Sequence, residues 1–245
     1  MKKYLQDIVR CTSGLEFGVV KVEGNDKETK YQSVSDDRTV IVSATANEVV
    51  DDFKGVFGLS NLALLGGLTG SKSFKGDDAT VTVSKINRDG KDIPAAFVFD
   101  NDSGMHGVYR LMSEQAIPNQ PKFTGTTYAI EIDEPAKQKI TEFAEIATLY
   151  SATEEKFTPK IVDDNLIFAI GDENSASHSA SVMFQKDVGT AYKGGFSWPT
   201  SQVLTILKLA ESGDSSLSLS NDGVMKVDVD TGISKWEFLL PGHTV

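Results

Sequence analysis

The sequence predicts an α+β protein of two similar domains, each with two helices packed on antiparallel sheets. Three observations predict this architecture. First, residues 196–242 contain one amphipathic helix followed by three alternating strand segments. Second, a similar helix with three strand segments begins at residue 56, about 140 residues upstream. Third, amphipathic helices followed by strands begin near the N-terminus and at residue 136, and a repeat of this length indicates duplicated domains.

The first domain begins with a helix over residues 2–13 whose two sides differ in character. Since successive residues advance by about 100°, its apolar side gathers the side chains of Tyr4, Leu5, Ile8, Val9 and Cys11. Lys3, Gln6 and Arg10 lie opposite, with Lys2 at the margin, and Asp7 is expected to dilute this basic stripe. Such a stripe is typical of a solvated helix face or of an anion-binding one.

Strand patterns and a second helix fill the rest of the first domain. Alternating or β-branched segments predict strands at residues 17–22, 29–35, 39–47, 79–86, 95–99 and 107–112. The second helix is predicted at residues 60–69. Because this helix is apolar nearly all round, we expect other elements to cover most of its sides.

A connector between the domains is predicted where two prolines and a glycine interrupt any regular element. The predicted limits are residues 1–113 for the first domain, 114–126 for the connector and 127–245 for the second domain.

The second domain repeats the order of the first. A strand is predicted at residues 127–132, and Asp133 is expected to cap a helix with Pro135 in its first turn. This helix, residues 136–150, is expected to bury Ile140, Phe143, Ala147 and Tyr150. Its opposite face carries Gln138, Thr141, Glu142 and Glu145, flanked by Lys137 and Lys139. Strands are predicted within residues 157–170 and at 177–185, 216–220, 224–229 and 235–240.

The last helix of the second domain is expected to open at Pro199 and Thr200, since proline is tolerated in a first turn and a threonine oxygen can cap it. Gly213 is expected to end it. Lys208 lies at the centre of its polar face.

Composition excludes several classes of protein. Twenty-four basic and 35 acidic side chains give a net charge of −11, so the surface as a whole does not attract nucleic acid. Cys11 is the one cysteine, which excludes an intrachain disulfide and favours a reducing, cytoplasmic location. Its place on the apolar side of the first helix predicts a core residue. No apolar run reaches the length of a membrane span, and no signal-peptide pattern opens the chain.

The sequence shows no pattern that indicates catalysis or metal binding. His106, His178 and His243 have no cysteine or carboxylate at metal-ligand spacing. Ser71 separates Gly70 from the following lysine, whereas a phosphate-binding loop needs the two adjacent. No nucleophile elbow occurs. The sequence therefore argues against an enzyme and predicts neither a cofactor nor a metal.

Two local strings and the overall order of elements resemble the DNA polymerase sliding clamps, the family that includes proliferating cell nuclear antigen and the clamps of T-even-type tailed phages. YQSVSDDRTVIVSATA, residues 31–46, is similar to a strand-turn-strand of those clamps, and DTGISKWEFLLPG, residues 230–242, is similar to their last strand and terminal proline. The chain begins directly with a helix, where eukaryotic clamps begin with a strand, so the phage-type members are the closer match.

The resemblance implies the DNA-clamp fold and a homotrimer of two-domain subunits, closed head to tail into a ring around duplex DNA. Such a ring tethers the replicative DNA polymerase as a processivity factor and needs a separate clamp loader, since no ATPase motif is present. The helices line the hole, so the expected DNA-contacting residues are Lys2, Lys3, Arg10, Lys137, Lys139 and Lys208, with Lys72 and Lys75 as weaker candidates. Sparse phosphate contacts permit sliding.

The resemblance also implies two protein interfaces. Edge strands of neighbouring subunits would pair, by position through Tyr109 and Leu111 on one subunit and Ala180, Val182 and Phe184 on the next. Partner peptides would dock in a hydrophobic pocket beside the connector, built from Val34, Ile117, Pro118, Phe123, Leu240 and Pro241. Ordinary packing under a connector is the other interpretation of those six residues.

A second function is open at this point. A β-rich structural or assembly protein, such as a virion component, could also form a ring through edge strands without enclosing DNA. The second helix, which lacks basic residues, and the third, which carries glutamates, are the features that favour this alternative.

Overall fold

The computed structural model describes residues 1–76, 78–88, 90–119, 125–172, 178–211 and 214–245. The chain divides into two compact units. Unit 1 is Met1–Lys122 with Thr231–Trp236, and unit 2 is Phe123–Asp230 with Glu237–Val245. The first division falls inside the predicted connector, residues 114–126, whose described part contains a one-turn 3₁₀ helix, Glu114–Ala116. The sequence did not indicate that a segment so late in the chain belongs to unit 1.

Each unit contains two helices of two turns or more. They are α1 (Lys2–Thr12) and α2 (Leu62–Gly70) in unit 1, followed there by the short α3 (Lys72–Lys75), and α4 (Lys137–Tyr150) and α5 (Thr200–Ala210) in unit 2. The four longer helices lie where the sequence predicts them, to within two residues at their starts. None of the helices in the described ranges has both the length and the apolar character that crossing a membrane requires.

The described residues of unit 1 form eight strands of its own. They are β1 (Val19–Gly24), β2 (Thr29–Val34), β3 (Ile41–Ala46), β4 (Gly55–Ser60), β5 (Ala79–Arg88), β6 (Lys91–Asn101), β7 (His106–Arg110) and β8 (Met112–Ser113). One sheet has the order β8-β4-β1-β2-β3 and continues beyond β3 with Thr231–Trp236. A separate meander has the order β5-β6-β7.

Unit 2 contains the remaining strands. They are β9 (Tyr128–Asp133), β10 (Lys156–Val162), β11 (Asn165–Ile170), β12 (Ala180–Gln185), β13 (Phe196–Pro199), β14 (Asp214–Ser220), β15 (Val224–Asp230), β16 (Ser234–Pro241) and β17 (His243–Thr244). One sheet has the order β12-β11-β10-β13-β17, and the other has the order β16-β15-β14-β9. β16 is divided between the units: its first three residues, Ser234–Trp236, belong to unit 1, and the rest belongs to unit 2.

The two units share one strand order. The series β8-β4-β1-β2-β3 corresponds to β17-β13-β10-β11-β12, and the meander β5-β6-β7 corresponds to β14-β15-β16. Matching strings mark the correspondence in the sequence: Phe53-Lys54-Gly55 enters β4, and Tyr192-Lys193-Gly194 leads to β13. Both glycines have positive φ, 114° and 72°, which glycine adopts without strain. The prediction of an α+β fold with a repeated unit is confirmed.

Aromatic side chains fill the core of each unit. In unit 1 the rings of Phe53, Phe57 and Phe97 lie 5.7–5.9 Å apart between centroids. In unit 2 Phe168 lies 5.0 Å from Phe143 and 4.1 Å from Phe184. Phe184 is 2% exposed, and the other five phenylalanines have no exposed surface. Such contacts between rings add to the free energy that burial of their area provides.

Several local predictions are wrong. β4 and β13 were not predicted: each lies directly before a helix, and β13 has only four residues. β4 extends to Ser60, so α2 begins at Leu62 after Asn61, whose side-chain oxygen accepts a hydrogen bond from Leu64 N at 3.2 Å. Asp133 does not cap α4: it ends β9, and α4 begins at Lys137 after Ala136.

The expectation that α2 is covered on most sides is also wrong. Only Leu65 and Thr69 of this helix are buried, and Leu64 is 47% exposed. Added Cβ atoms at Gly67 and Gly70 would meet nothing within 4 Å. An apolar composition therefore does not require a covered helix.

Candidate functional site

The exposed face of α1 carries the basic residues that the sequence places there. The Lys3 and Arg10 side chains are exposed, and Lys2 is partly buried, its Nζ donating to the carbonyl of Gly76 at 3.2 Å. Lys3 Nζ lies 3.2 Å from Glu48 Oε2, to which the Tyr4 hydroxyl also donates, at 2.9 Å. The hydrogen bond to Glu48 raises the pKa of Lys3. The hydrogen bonds that Tyr4 and Lys3 donate to Glu48 hold the pKa of its carboxyl below the usual range.

Asp7 does not dilute this stripe, contrary to the sequence prediction. Its side chain is 3% exposed, and its Oδ2 accepts a hydrogen bond from Trp236 Nε1 at 3.0 Å. The Trp236 ring stacks on Tyr31 with centroids 5.7 Å apart. A buried carboxylate needs such a partner, and this partner lies 229 residues away, so no local pattern reveals it.

Cys11 lies on the buried side of α1, as predicted. The side chain has no exposed surface, and burial raises the pKa of its thiol to about 12. A thiol in this state is not a nucleophile at neutral pH.

α4 presents a mixed face rather than a basic one. Lys137 is exposed at its start, whereas Lys139 Nζ lies 2.6 Å from Glu142 Oε2. Gln138 Nε2 donates to the other oxygen of Glu142 at 2.8 Å. The hydrogen bond from Lys139 holds the pKa of Glu142 below its usual range. Glu145, one turn further, is exposed.

The remaining helices differ in charge. Lys208 is exposed in the last turn of α5, where a cation is favourable. α2 has no charged residue, and the exposed Lys72 and Lys75 follow it on α3. The structure therefore places exposed lysine or arginine on α1, α3, α4 and α5.

Both strands predicted to pair between subunits lie at sheet edges in the described part of the chain. β7 ends the series β5-β6-β7, and β12 ends the series β12-β11-β10-β13-β17. Of the named side chains, Tyr109 packs in unit 1, where its hydroxyl donates to the carbonyl of Ser60 and its ring stacks on Phe97. Val182 and Phe184 are buried in unit 2, while Leu111 and Ala180 are partly exposed.

An edge-to-edge contact would therefore use backbone groups and outward side chains. On β7 the exposed side chains are His106, Val108 and Arg110, and His106 Nδ1 lies 2.7 Å from Asp100 Oδ1. On β12 Ser181 is exposed. The sequence pattern predicted strands at these two places but not their inward and outward sides.

The six residues of the expected peptide pocket do not belong to one unit. Val34, Ile117 and Pro118 are in unit 1, and Val34 and Ile117 are partly buried while Pro118 is exposed. Leu240 and Pro241 are in unit 2, where Leu240 is fully buried and its carbonyl accepts a hydrogen bond from Trp198 Nε1 at 2.8 Å. Pro241 is exposed. Phe123 lies outside the described residues.

The described side chains include no group of three or more histidine, cysteine, aspartate or glutamate residues arranged to hold a metal ion. His106 lies beside one carboxylate of the described residues, that of Asp100.

Comparison with known proteins identifies the fold. No protein-family model and no curated protein sequence matches the chain. A solved structure of proliferating cell nuclear antigen (PCNA) from Entamoeba histolytica matches 99% of this chain and 95% of its own with a TM-score of 0.68 and 13% identity. A PCNA from A. fulgidus, solved with the C-terminal region of FEN-1 bound, matches 100% and 96% with a TM-score of 0.67 and 14% identity.

Proposed function

We propose that this chain, which has the fold of the PCNA-type sliding clamps, closes as a homotrimer around duplex DNA and tethers a DNA polymerase as its processivity factor. A separate clamp loader would open the ring. The phage-type assignment stays a prediction from the sequence resemblance. Nothing in the proposal requires an enzymatic reaction or a bound cofactor.

One observation carries the proposal: equivalent strand edges of the two units have different neighbours. In unit 1 the sheet continues beyond β3 with Thr231–Trp236, a segment that includes the first residues of β16, and Asn47 N donates to the carbonyl of Ile233 at 2.9 Å. In the repeat, β12 corresponds to β3 and β7 corresponds to β16. The edge of β12 has no neighbour among the described strands, and neither has that of β7.

The repeat itself supplies the missing neighbour. If β12 takes a strand in the way that β3 does, that strand is β7 of a second copy. Exposed strand edges pair readily with another chain. Because β7 and β12 are different surfaces, the contact is heterologous, and such contacts close into a ring when the rotation permits.

The helices supply the surface that would face DNA. Lys3 and Arg10 on α1, Lys137 on α4 and Lys208 on α5 are exposed, on a chain whose net charge is −11. Lys2 and Lys139 are members of the same set, although each has a contact within its own unit. A lining with few cations suits a ring that slides, since each phosphate contact must be released at every step.

Partner peptides are proposed to dock at the six residues that the resemblance names, Val34, Ile117, Pro118, Phe123, Leu240 and Pro241. The A. fulgidus PCNA was solved with a FEN-1 peptide region bound, which supports peptide docking as a property of this fold. Exposed Pro118 and Pro241 are the members of this set that a peptide would reach first.

The test combines solution mass with polymerase processivity. Light scattering should give a mass near three times 26.5 kDa, and addition of the chain with its matching loader should lengthen polymerase products. Val108→Lys on β7 should lower both, because a charge on an edge strand opposes pairing. Thr82→Lys on β5 is the matched control, since Thr82 and Val108 both pair with Val98 on the same sheet face.

Two results would contradict the proposal. A monomer that leaves product length unchanged would remove both the ring and the tethering. A trimer that never lengthens products would instead support the alternative, a ring-forming assembly protein that does not enclose DNA, which the uncharged α2 favours.

A further inference from the structure

α1 and α4 occupy equivalent places in the two units, so their exposed faces can be compared position by position. Their buried residues share the spacing i, i+3, i+7: Leu5, Ile8 and Thr12 on α1, and Ile140, Phe143 and Ala147 on α4. This spacing aligns one helix face with the other. In that alignment Lys2 corresponds to Lys137, Lys3 to Gln138, and Arg10 to Glu145.

The two exposed faces therefore share a lysine at the first helical residue and carry opposite charges in the third turn. Lys2 and Lys137 both stand at a helix start. Arg10 and Glu145 occupy corresponding exposed positions in the third turn of their helices, and their charges are opposite. Asp7 and Glu142 also correspond, but Asp7 is buried against Trp236, whereas Glu142 neutralises Lys139 on the surface.

The charges of α4 also oppose its own dipole. Lys137 and Lys139 lie in its first turn, where cations are unfavourable, and no basic residue lies in its last turn. α1 instead carries Arg10 in its last turn, where a cation is favourable. The two equivalent helices therefore differ in the charge of their exposed third turn, which carries Arg10 on α1 and Glu145 on α4.

We propose that the second half of α4 repels duplex DNA through Glu145. The phosphodiester backbone then contacts α1 as far as Arg10 but α4 only in its first turn, at Lys137 and Lys139. This inference rests on the proposed function, because it assumes that both helix faces line the hole of a ring. Its consequence is that α4 binds the duplex less tightly than α1 does, which lowers the friction of sliding.

The test measures one-dimensional diffusion of the loaded ring on stretched duplex DNA at 50 and 200 mM salt. Glu145→Gln removes the repulsion and should slow diffusion. Glu145→Lys should slow it further and steepen its salt dependence, because one phosphate contact changes affinity by about threefold between these two salt concentrations. Arg10→Glu should speed diffusion. Glu131→Gln and Glu131→Lys on β9 are matched controls at an exposed residue on a strand, and both should diffuse like the wild type.

The outcomes separate this inference from the proposed function. If the wild-type ring is never retained on DNA, the proposed function fails. If the ring slides but the Glu145 variants match the Glu131 controls, only this inference fails. Slowing by Glu145→Lys without slowing by Glu145→Gln would also overturn it, because a new contact would then explain the change. Thermal unfolding of each variant verifies that α4 stays folded.

Discussion

α2 and α5 occupy the same place in the two units but are held there by different forces. Each follows the strand that leads into it, β4 or β13. α5 buries Val203, Ile206, Leu207 and Ala210 along one side, together with Thr200. α2 is more apolar in composition, yet it buries only Leu65 and Thr69 and leaves Leu64 nearly half exposed.

Polar contacts rather than buried area fix α2. The Asn61 side chain accepts a hydrogen bond from Leu64 N, and Gln6 Nε2 on α1 donates to the carbonyl of Thr69 at 3.2 Å. α5 has no side-chain cap, and the buried Thr200 hydroxyl has no hydrogen-bond partner in the described part of the chain. The comparison teaches that a helix anchored by its core tolerates an imperfect start, whereas a helix with little core depends on its cap.

The largest expected effect is the loss of core packing under α5. Ile206→Ala should lower the free energy of unfolding by about 2–5 kcal/mol, because Ile206 is fully buried and truncation leaves a cavity. Leu64→Ala on α2 is the matched truncation and should change stability by less than about 0.5 kcal/mol. Urea unfolding followed by circular dichroism measures both. Equal losses would show that α2 is covered after all.

Removal of the α2 cap should have the next largest effect. Asn61→Ala should cost about 1–2 kcal/mol, since the substitution removes the side-chain hydrogen bond and places alanine at a φ of 55°, where asparagine is better tolerated. Asn61→Gly removes the same bond but accepts the left-handed backbone, so it should cost only a few tenths of a kcal/mol. If glycine costs as much as alanine, backbone strain contributes nothing at this position.

Local patterns were sufficient to predict most of the fold. Alternation and helical spacing placed the four longer helices and the strands β7 and β12, whereas the pairing of those two strands between copies came from the family resemblance and stays a prediction. These elements can be predicted from the sequence because the residues of each element determine which of its sides is buried. Lys3, Arg10, Lys137 and Lys208 were found in the same way, as exposed residues opposite an apolar helix side.

Part of what the sequence did not reveal has one cause, a partner distant in the chain. Asp7 is buried because Trp236 donates to it, and Lys3 has Glu48 beside it. Thr231–Trp236 belongs to unit 1 although the surrounding residues belong to unit 2. No window of the sequence contains both members of such a pair, so spacing alone could not reveal them.

A smaller effect should come from the glycines of α2. Gly67→Ala should raise the free energy of unfolding by about 0.4–1 kcal/mol, because alanine restricts the unfolded chain and its Cβ would meet no atom within 4 Å. Gly66→Ala is the matched control: its Cβ would lie 3.2 Å from Val9 Cγ1 on α1, so the gain should be smaller or absent. A midpoint shift in thermal unfolding distinguishes them. A loss of stability at residue 67 would mean that α2 is more closely packed than its exposure indicates.

The smallest expected effect concerns the start of α5. Thr200→Val replaces a buried hydroxyl that has no partner by a methyl group of similar volume, so stability should stay unchanged or rise by less than about 1 kcal/mol. Thr200→Ala is the control that also removes volume, and it should be the less stable of the two. Urea unfolding measures both variants. A loss of more than about 1 kcal/mol in Thr200→Val would show that the hydroxyl makes a hydrogen bond through water, in which case α5 is capped like α2 and the contrast between the two helix starts disappears.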